Sequence, residues 1–184
     1  MTRFHLPIVA LLAIAGVLLP ISKTFAASRS EIARDSRAAL SRLYRHNESA
    51  RKLGETAKAV LVFPKIIKAG FIIGGQGGEG ALIENGSIVG YYNIGSASFG
   101  LQAGAQRYGY ALFFMTDEAL RYLRNTDGWE IGTGPSVVLV NEGVARDIST
   151  TTERKNIYAF SFSQNGLMAG LGIQGSKITR IHPY

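Results

Sequence analysis

The stretch that decides the fold is Val60-Leu-Val-Phe-Pro-Lys-Ile-Ile-Lys-Ala-Gly-Phe-Ile-Ile-Gly-Gly-Gln-Gly-Gly-Glu-Gly80. The chain before it is basic and has helical periodicity, whereas the chain after it is rich in glycine and alternates as strands do. The apolar run Val60–Phe63 is short, partly β-branched and followed by Pro64, which predicts a buried strand that ends there. Phe71–Ile73 predicts a second short strand.

Two lysines lie between these predicted strands. Lys65 and Lys68 flank the pair Ile66 and Ile67. Lysines at an apolar strand end suit an anionic surface, and they equally suit a strand end that is simply solvated. Both interpretations stay open at this point.

The first 26 residues predict a signal peptide. Arg3 provides the positive charge at the start of the segment. Leu6–Ile21 is an apolar run that is short for a membrane span, and Thr24-Phe25-Ala26 has the small residues of a cleavage site. Cleavage before Ala27 would leave one domain, residues 27–184, in the periplasm or envelope or secreted; a retained anchor is the alternative. The chain has no cysteine, which excludes disulfides, thiolate metal sites, cysteine nucleophiles and a lipid-modified cysteine.

The positive charge is concentrated near the start of the predicted domain. The whole chain carries 20 basic and 13 acidic residues, a net charge of +7. Between Ser28 and Lys68 there are ten basic and four acidic residues, whereas the remainder, from Ala69, holds eight and nine. A positive charge concentrated in one part of the chain favours binding to polyanions or to anionic lipid headgroups.

The basic part predicts two helices. Ser28 and Glu31 have capping-box spacing and begin a helix that extends to about Arg45. Asn47 can cap a second helix that runs through Leu53 and ends at Gly54. Both have an apolar face and a basic polar face, which is typical of helices packed on a sheet and also of membrane-surface helices.

The glycine-rich part predicts about nine strands and one short helix. Asn85-Gly86 and Asn165-Gly166 are typical of two-residue hairpins, and Thr116 can cap a helix over Asp117–Arg124. Short connections favour antiparallel pairing. The fold class predicted is therefore α+β: basic N-terminal helices packed on a glycine-rich antiparallel β-barrel or sandwich, with one inserted short helix. The strands after residue 80 are Ala81–Glu84, Ser87–Tyr92, Ile94–Gln106, Tyr108–Met115, Ser136–Val140, Ile157–Ser163, Leu167–Gln174 and Lys177–Ile181.

Several motifs in this order resemble the SYLF domain family over about Ser30 to Ile181. They are Ala59-Val-Leu-Val-Phe-Pro64, Lys68-Ala-Gly-Phe71, Gly74-Gly75-x-Gly77, Ser98-Phe-Gly-Leu-Gln-Ala-Gly104, Gly166-Leu-Met-Ala-Gly170 and Gly175-Ser176. The resemblance implies a non-enzymatic module, without a cofactor or metal, that binds anionic phospholipid. Eukaryotic members bind phosphoinositides, some also bind actin, and an N-terminal amphipathic helix is associated with lipid binding. The matching part here is Ser30–Lys58.

The predicted partner is an anionic phospholipid membrane of a bacterial envelope, since an exported protein meets neither actin nor cytoplasmic phosphoinositides. Basic residues would gather the headgroups while a small apolar element inserts. The predicted lipid-binding residues are Arg51, Lys52, Lys58, Lys65 and Lys68, with Arg34, Arg37 and Arg45 as further candidates. The candidates for apolar contact are Ile66, Ile67 and Phe71, for each of which core burial is an equal alternative.

Other classes of function have weaker support in the sequence. Gly75–Gly80 matches G-x-G-x-x-G but lacks the following helix and acid of a dinucleotide site. His46 and His182 lie in poor contexts for a catalytic triad, and few aromatic residues accompany the basic ones as nucleic-acid binding would require. A small outer-membrane β-barrel, a structural or protein-interaction module of the envelope, and a hydrolase using Glu79, Glu84 or Asp147 are the alternatives.

Overall fold

The computed structural model describes residues 27–71, 73–99, 104–140, 155–166 and 175–184. These residues form three helices and eight strands. The helices are α1 (Arg29–His46), α2 (Glu48–Thr56) and α3 (Asp117–Asn125). The strands are β1 (Ala59–Phe71), β2 (Ile73–Glu84), β3 (Ser87–Phe99), β4 (Gly104–Phe114), β5 (Trp129–Glu130), β6 (Val137–Leu139), β7 (Ile157–Gly166) and β8 (Lys177–Ile181).

All eight strands belong to one sheet, which curls into a half-barrel. Its order is β5-β8-β3-β2-β1-β4-β7-β6, and the N-terminal helices pack on it. The predicted α+β class with helices on a glycine-rich sheet is confirmed. The prediction of wholly antiparallel pairing was wrong at one place, because β6 pairs with β7 in parallel.

The first part of strand β1, Ala59 to Phe63, is buried on both faces of the sheet. Alternate side chains of a strand point to opposite faces, so Leu61 and Phe63 enter one hydrophobic core while Val60 and Val62 enter another. We call the first side the α3 face, because α3 packs there, and the second the α1 face, because α1 and α2 cover it. This two-sided burial explains why the run at Val60–Phe63 is continuously apolar rather than alternating.

Pro64 does not end the strand, contrary to the sequence prediction. The register of β1 shifts between Phe63 and Ile66 against β4, and between Val62 and Ile67 against β2. Pro64 therefore lies in a β-bulge, one of the few places where a sheet tolerates a residue without an N–H. Strand β1 instead continues to Phe71, which pairs with Ile73 at the start of β2, so the predicted strand Phe71–Ile73 includes the end of one strand and the start of the next.

The predicted helix starts are confirmed. Ser28 and Glu31 form a capping box, and the side chains of Asn47 and Thr116 accept hydrogen bonds at the starts of α2 and α3. However, α2 does not end at Gly54 but continues to Thr56. A Cβ at Gly54 would lie 2.2 Å from the hydroxyl oxygen of Tyr44, so this glycine makes room for a neighbouring ring.

The predicted hairpin at Asn85-Gly86 is confirmed. Asn85 and Gly86 have φ of 48° and 77°, the positive values that a type I′ turn needs. Asn165 and Gly166 instead lie within β7, paired with β4. The predicted strand Leu167–Gln174 lies outside the described residues, as does the middle of Ile94–Gln106, whose ends belong to β3 and β4. The predicted strands Ala81–Glu84 and Ser87–Tyr92 are parts of the longer strands β2 and β3. The other four predictions lie within a few residues of β4, β6, β7 and β8.

Glycine in β2 provides a test of close packing within the sheet. A Cβ at Gly80 would lie 2.2 Å from the carbonyl oxygen of Val62, whereas a Cβ at Gly77 would have Ile94 O as its nearest neighbour at 3.8 Å. We expect Gly80→Ala to lower the free energy of unfolding by roughly 1–3 kcal/mol, because the sheet must shift to admit it. Gly77→Ala is the matched control and should be neutral or slightly stabilising. Urea unfolding measures both; equal effects would contradict the packing argument.

Candidate functional site

Three of the predicted lipid-binding arginines converge on one groove. The groove has a volume of about 470 Å³ and lies between α1, α2 and the β2–β3 hairpin. We call it the arginine groove. Its lining residues are Arg37, Leu40, Ser41, Tyr44, Arg45, Arg51, Ile83 and Gly86. Positions 37, 40, 41, 44 and 45 recur at intervals of three and four, so α1 presents them as one stripe.

The floor of the arginine groove is apolar. Leu40 and Ile83 are largely buried in the core beneath α1, and Tyr44 packs on Phe113 with ring centroids 6.3 Å apart. Burial raises the pKa of Tyr44 to about 12, with a smaller contribution from the negative charge of Glu55. Tyr44 is therefore neutral at physiological pH and adds a hydrophobic ring, rather than a charge, to the floor.

The rim of the arginine groove carries positive charge. Arg37 donates to the carbonyl oxygen of Gly86 at 2.8 Å, and Arg45 donates to Ser41 Oγ at 2.8 Å. These partners are neutral, so the charges of Arg37 and Arg45 are not cancelled by them. Arg51 forms an ion pair with Glu55 at 2.6 Å, on the neighbouring turn of α2. None of the described residues that line the groove is acidic.

Three other predicted cations lie outside this groove, each beside an acid. Arg34 pairs with Asp35 at 2.9 Å, Lys52 with Glu48 at 2.9 Å, and Lys58 with Asp117 at 3.4 Å. All are well exposed, where an ion pair contributes little stability. The neighbouring carboxylates nevertheless reduce the local positive potential, so these residues are weaker anion-binding candidates than Arg37 and Arg45.

A larger groove, of about 750 Å³, lies on the other side of α1. Lys65 lines it, and so does Ile67, whose side chain is 46% exposed. Its charges are mixed, because its lining includes both basic and acidic side chains. The basic ones are Arg42, Lys65 and Arg107, and the acidic ones are Asp35 and Glu79. The arginine groove, although smaller, is therefore the better candidate for binding an anion.

The remaining predicted residues do not lie together at either groove. Lys68 is partly buried on the α3 face, on the opposite side of the sheet from Ile67. Ile66 is fully buried in the core, which is the alternative that the sequence left open for it. The side chain of Phe71 lies outside the described residues. Sequence reasoning also missed Ile83 as part of a site, because a strand residue gives no signal that a helix will lie beside it.

Other chemistry has little support in the described residues. Within them, no group of three His, Asp or Glu side chains is placed to hold a metal ion, and no helix is long and apolar enough to cross a membrane. The G-x-G-x-x-G string lies inside β2 and leads into a second strand, not a helix. Glu84 forms an ion pair with Arg124, which gives it a structural partner, and Asp147 lies outside the described residues.

Comparison with known families supports the resemblance seen in the sequence. The model of the Ysc84 family, described as a Las17-binding protein actin regulator, matches residues 95–182. The matched stretch, residues 95–182, is thus similar to the Ysc84 (SYLF) family. The match begins within β3 and includes β4 to β8, whereas α1 and α2 precede it. SYLF domains are lipid- or actin-binding domains and are not a known enzyme family. No curated protein matches the chain.

The burial of Tyr44 predicts how stability depends on pH. Its pKa is about 12 in the folded protein against the ordinary tyrosine value of 10.0, so the folded state holds this proton more tightly. The stabilisation is complete below about pH 10 and is lost as the pH rises towards 12. We expect Tyr44→Phe to reduce the fall in the free energy of unfolding over this range, measured by urea unfolding at several pH values. Tyr184→Phe, at a fully exposed residue, is the control. An unchanged slope in Tyr44→Phe would contradict the burial argument.

Proposed function

We propose that this SYLF-type protein binds anionic phospholipid at a membrane surface through the arginine groove. The observation that carries the proposal is the convergence of Arg37, Arg45 and Arg51 around an apolar floor that has no acidic lining residue. A guanidinium group has five N–H donors in a planar fork that matches phosphate oxygens. The donors not used by Gly86, Ser41 and Glu55 are available to headgroups.

The floor has the complementary role in this proposal. Leu40, Tyr44 and Ile83 lie below the arginines and present an apolar surface to the part of the lipid beneath the phosphate. This order, with cations at the rim and hydrophobic groups below, matches the order of groups at a membrane interface. The lipid-binding character of SYLF domains supports the same function.

We further propose that the membrane is that of a bacterial envelope, because the first 26 residues predict export. Phosphatidylglycerol and cardiolipin would then be the anionic lipids. Actin is the other partner class that the family suggests. We favour lipid because an exported chain does not meet actin and because the groove combines charge with an apolar floor.

The test is co-sedimentation with phosphatidylglycerol vesicles, compared with neutral phosphatidylcholine vesicles. We expect the triple variant Arg37→Gln, Arg45→Gln, Arg51→Gln to bind about 100-fold more weakly, because each basic residue near an anionic surface contributes about 1 kcal/mol. The wild-type affinity should also fall as salt rises, since ions screen exposed charges over about 8 Å at physiological ionic strength.

The matched control is the triple variant Arg34→Gln, Lys52→Gln, Lys58→Gln, which removes the same charge from residues that are paired with acids outside the groove. We expect it to retain most of the binding. Equal losses in both triple variants would show that overall charge, not the groove, is responsible. Absence of binding by the wild-type protein would refute the proposed function. Circular dichroism checks that each variant is folded.

A further inference from the structure

The larger groove beside α1, of about 750 Å³, holds charges of both signs that the chain does not pair with each other. Its three cations come from three elements, with Arg42 on α1, Lys65 on β1 and Arg107 on β4. Glu79 of β2 lines the same groove. Among the described residues, none of these four side chains forms an ion pair. Opposite charges that share a groove without pairing leave room for a ligand that carries both.

The strand register separates Glu79 from Arg107. Ile67 of β1 pairs with Gly77 of β2 on one side and with Arg107 of β4 on the other, so these three residues share the α1 face. Glu79 lies two residues beyond Gly77 and therefore on the same face. Because neighbouring strands are about 4.8 Å apart, the backbones at Glu79 and Arg107 are at least about 10 Å apart. A small ligand fits between two side chains at this spacing.

Bulges and a glycine shape the floor of the larger groove. One bulge lies at Pro64 in β1, and a second register shift separates Arg107 from Gly109 where β4 meets β7. Bulges bend and twist the strands that carry them. Gly77 adds no side chain, and a Cβ there would have Ile94 O as its nearest neighbour, at 3.8 Å. The floor at Gly77 is therefore open space and not packed core.

The larger groove is open to solvent and has an apolar wall. Its three cations are exposed, and Glu79 is partly exposed. The wall includes Pro64, Ala38 and Ile67, of which Ile67 is 46% exposed. The volume lies within the range of about 300–1,000 Å³ that is usual for small-ligand sites. A ligand can therefore enter from solvent, reach both signs of charge and place an apolar part against Ile67.

We propose that the larger groove binds a phosphate ester that carries a primary ammonium group. The guanidinium groups of Arg42 and Arg107 and the ammonium group of Lys65 donate to the phosphate oxygens. The carboxylate of Glu79 accepts a hydrogen bond from the ligand's ammonium group. The arginine groove has no acid among its described lining residues and so does not offer this second contact. The two sites are therefore independent, and they select different headgroups.

The lining of the larger groove favours a primary ammonium group over a quaternary one. A primary ammonium group has three N–H donors for a carboxylate, whereas a quaternary ammonium group has none and is bound by aromatic cages. Tyr108 is the only aromatic residue among the described lining residues, and it is buried. Soluble ethanolamine phosphate and the headgroup of phosphatidylethanolamine share the chemistry that fits, whereas choline phosphate lacks the donors.

The first experiment is an NMR titration of the protein with ethanolamine phosphate and with choline phosphate. We expect ethanolamine phosphate to bind about tenfold more tightly, as expected for one charged hydrogen bond. Glu79→Gln should remove this difference and leave the affinity for choline phosphate unchanged. Glu118→Gln is the matched control, because Glu118 is an exposed acid on α3, on the other side of the sheet. It should retain the wild-type difference.

A second variant tests the phosphate half of the site. Lys65→Met combined with Arg107→Gln should weaken the binding of ethanolamine phosphate, choline phosphate and inorganic phosphate alike, by about tenfold or more. Glu79→Gln should affect the first of these ligands only, so the two variants separate the two contacts. Thermal unfolding without ligand checks that each variant is folded, and the double variant still tests the site if Glu79→Gln is not.

Vesicles distinguish the two sources of the ligand. If the source is a lipid headgroup, phosphatidylcholine vesicles that contain phosphatidylethanolamine should bind the protein better than phosphatidylcholine alone, and Glu79→Gln should abolish this preference. The arginine triple variant should keep it while losing binding to phosphatidylglycerol, so a failure of either site is recognised separately. Selective binding of ethanolamine phosphate without a vesicle preference identifies a soluble ligand. If neither probe shows a preference, or if Glu79→Gln behaves as Glu118→Gln does, the proposal is overturned.

Discussion

The rest of the structure depends on the burial of the first part of strand β1, Ala59 to Phe63, on both sides. It pairs with β2 and β4 along almost its whole length, and its alternating side chains enter both hydrophobic cores. Its backbone also binds the covering helix, since Ser36 Oγ donates to the carbonyl oxygen of Val62 at 3.2 Å. A residue inserted in β1 would exchange the two faces, so the bulge at Pro64 is part of the register rather than a defect.

The position of α1 on β1 in turn creates the two grooves. A helix that packs on a sheet leaves a groove along each of its two sides, and both grooves described above border α1. Their chemistry differs because opposite stripes of the helix line them, with Arg37 and Arg45 on one side and Asp35 and Arg42 on the other. The helix therefore makes one groove uniformly basic and leaves the other with mixed charges, because different side chains project on its two sides.

Local signals in the sequence were sufficient for most elements, because caps and turns are properties of a few adjacent residues. The capping box at Ser28 and the turn at Asn85 illustrate this. The failures involve tertiary contacts. Gly54 looked like a helix end, but it is needed for the ring of Tyr44; Asn165 looked like a turn, but β4 holds it in an extended strand. The groove itself combines α1, α2 and a hairpin, a combination that no single stretch of sequence indicates.

The same reasoning explains why the two lysines that flank the Ile66-Ile67 pair do not act together. On a helix, residues three apart lie on the same face, whereas on a strand an odd separation places them on opposite faces. Lys65 accordingly borders the larger groove beside α1, and Lys68 lies on the α3 face. Two basic residues three apart in the sequence therefore lie on one surface if a helix carries them and on two surfaces if a strand does. Here the strand places Lys65 at one groove and Lys68 on the far side of the sheet. The three arginines at the rim of the arginine groove, in contrast, all come from α1 and α2.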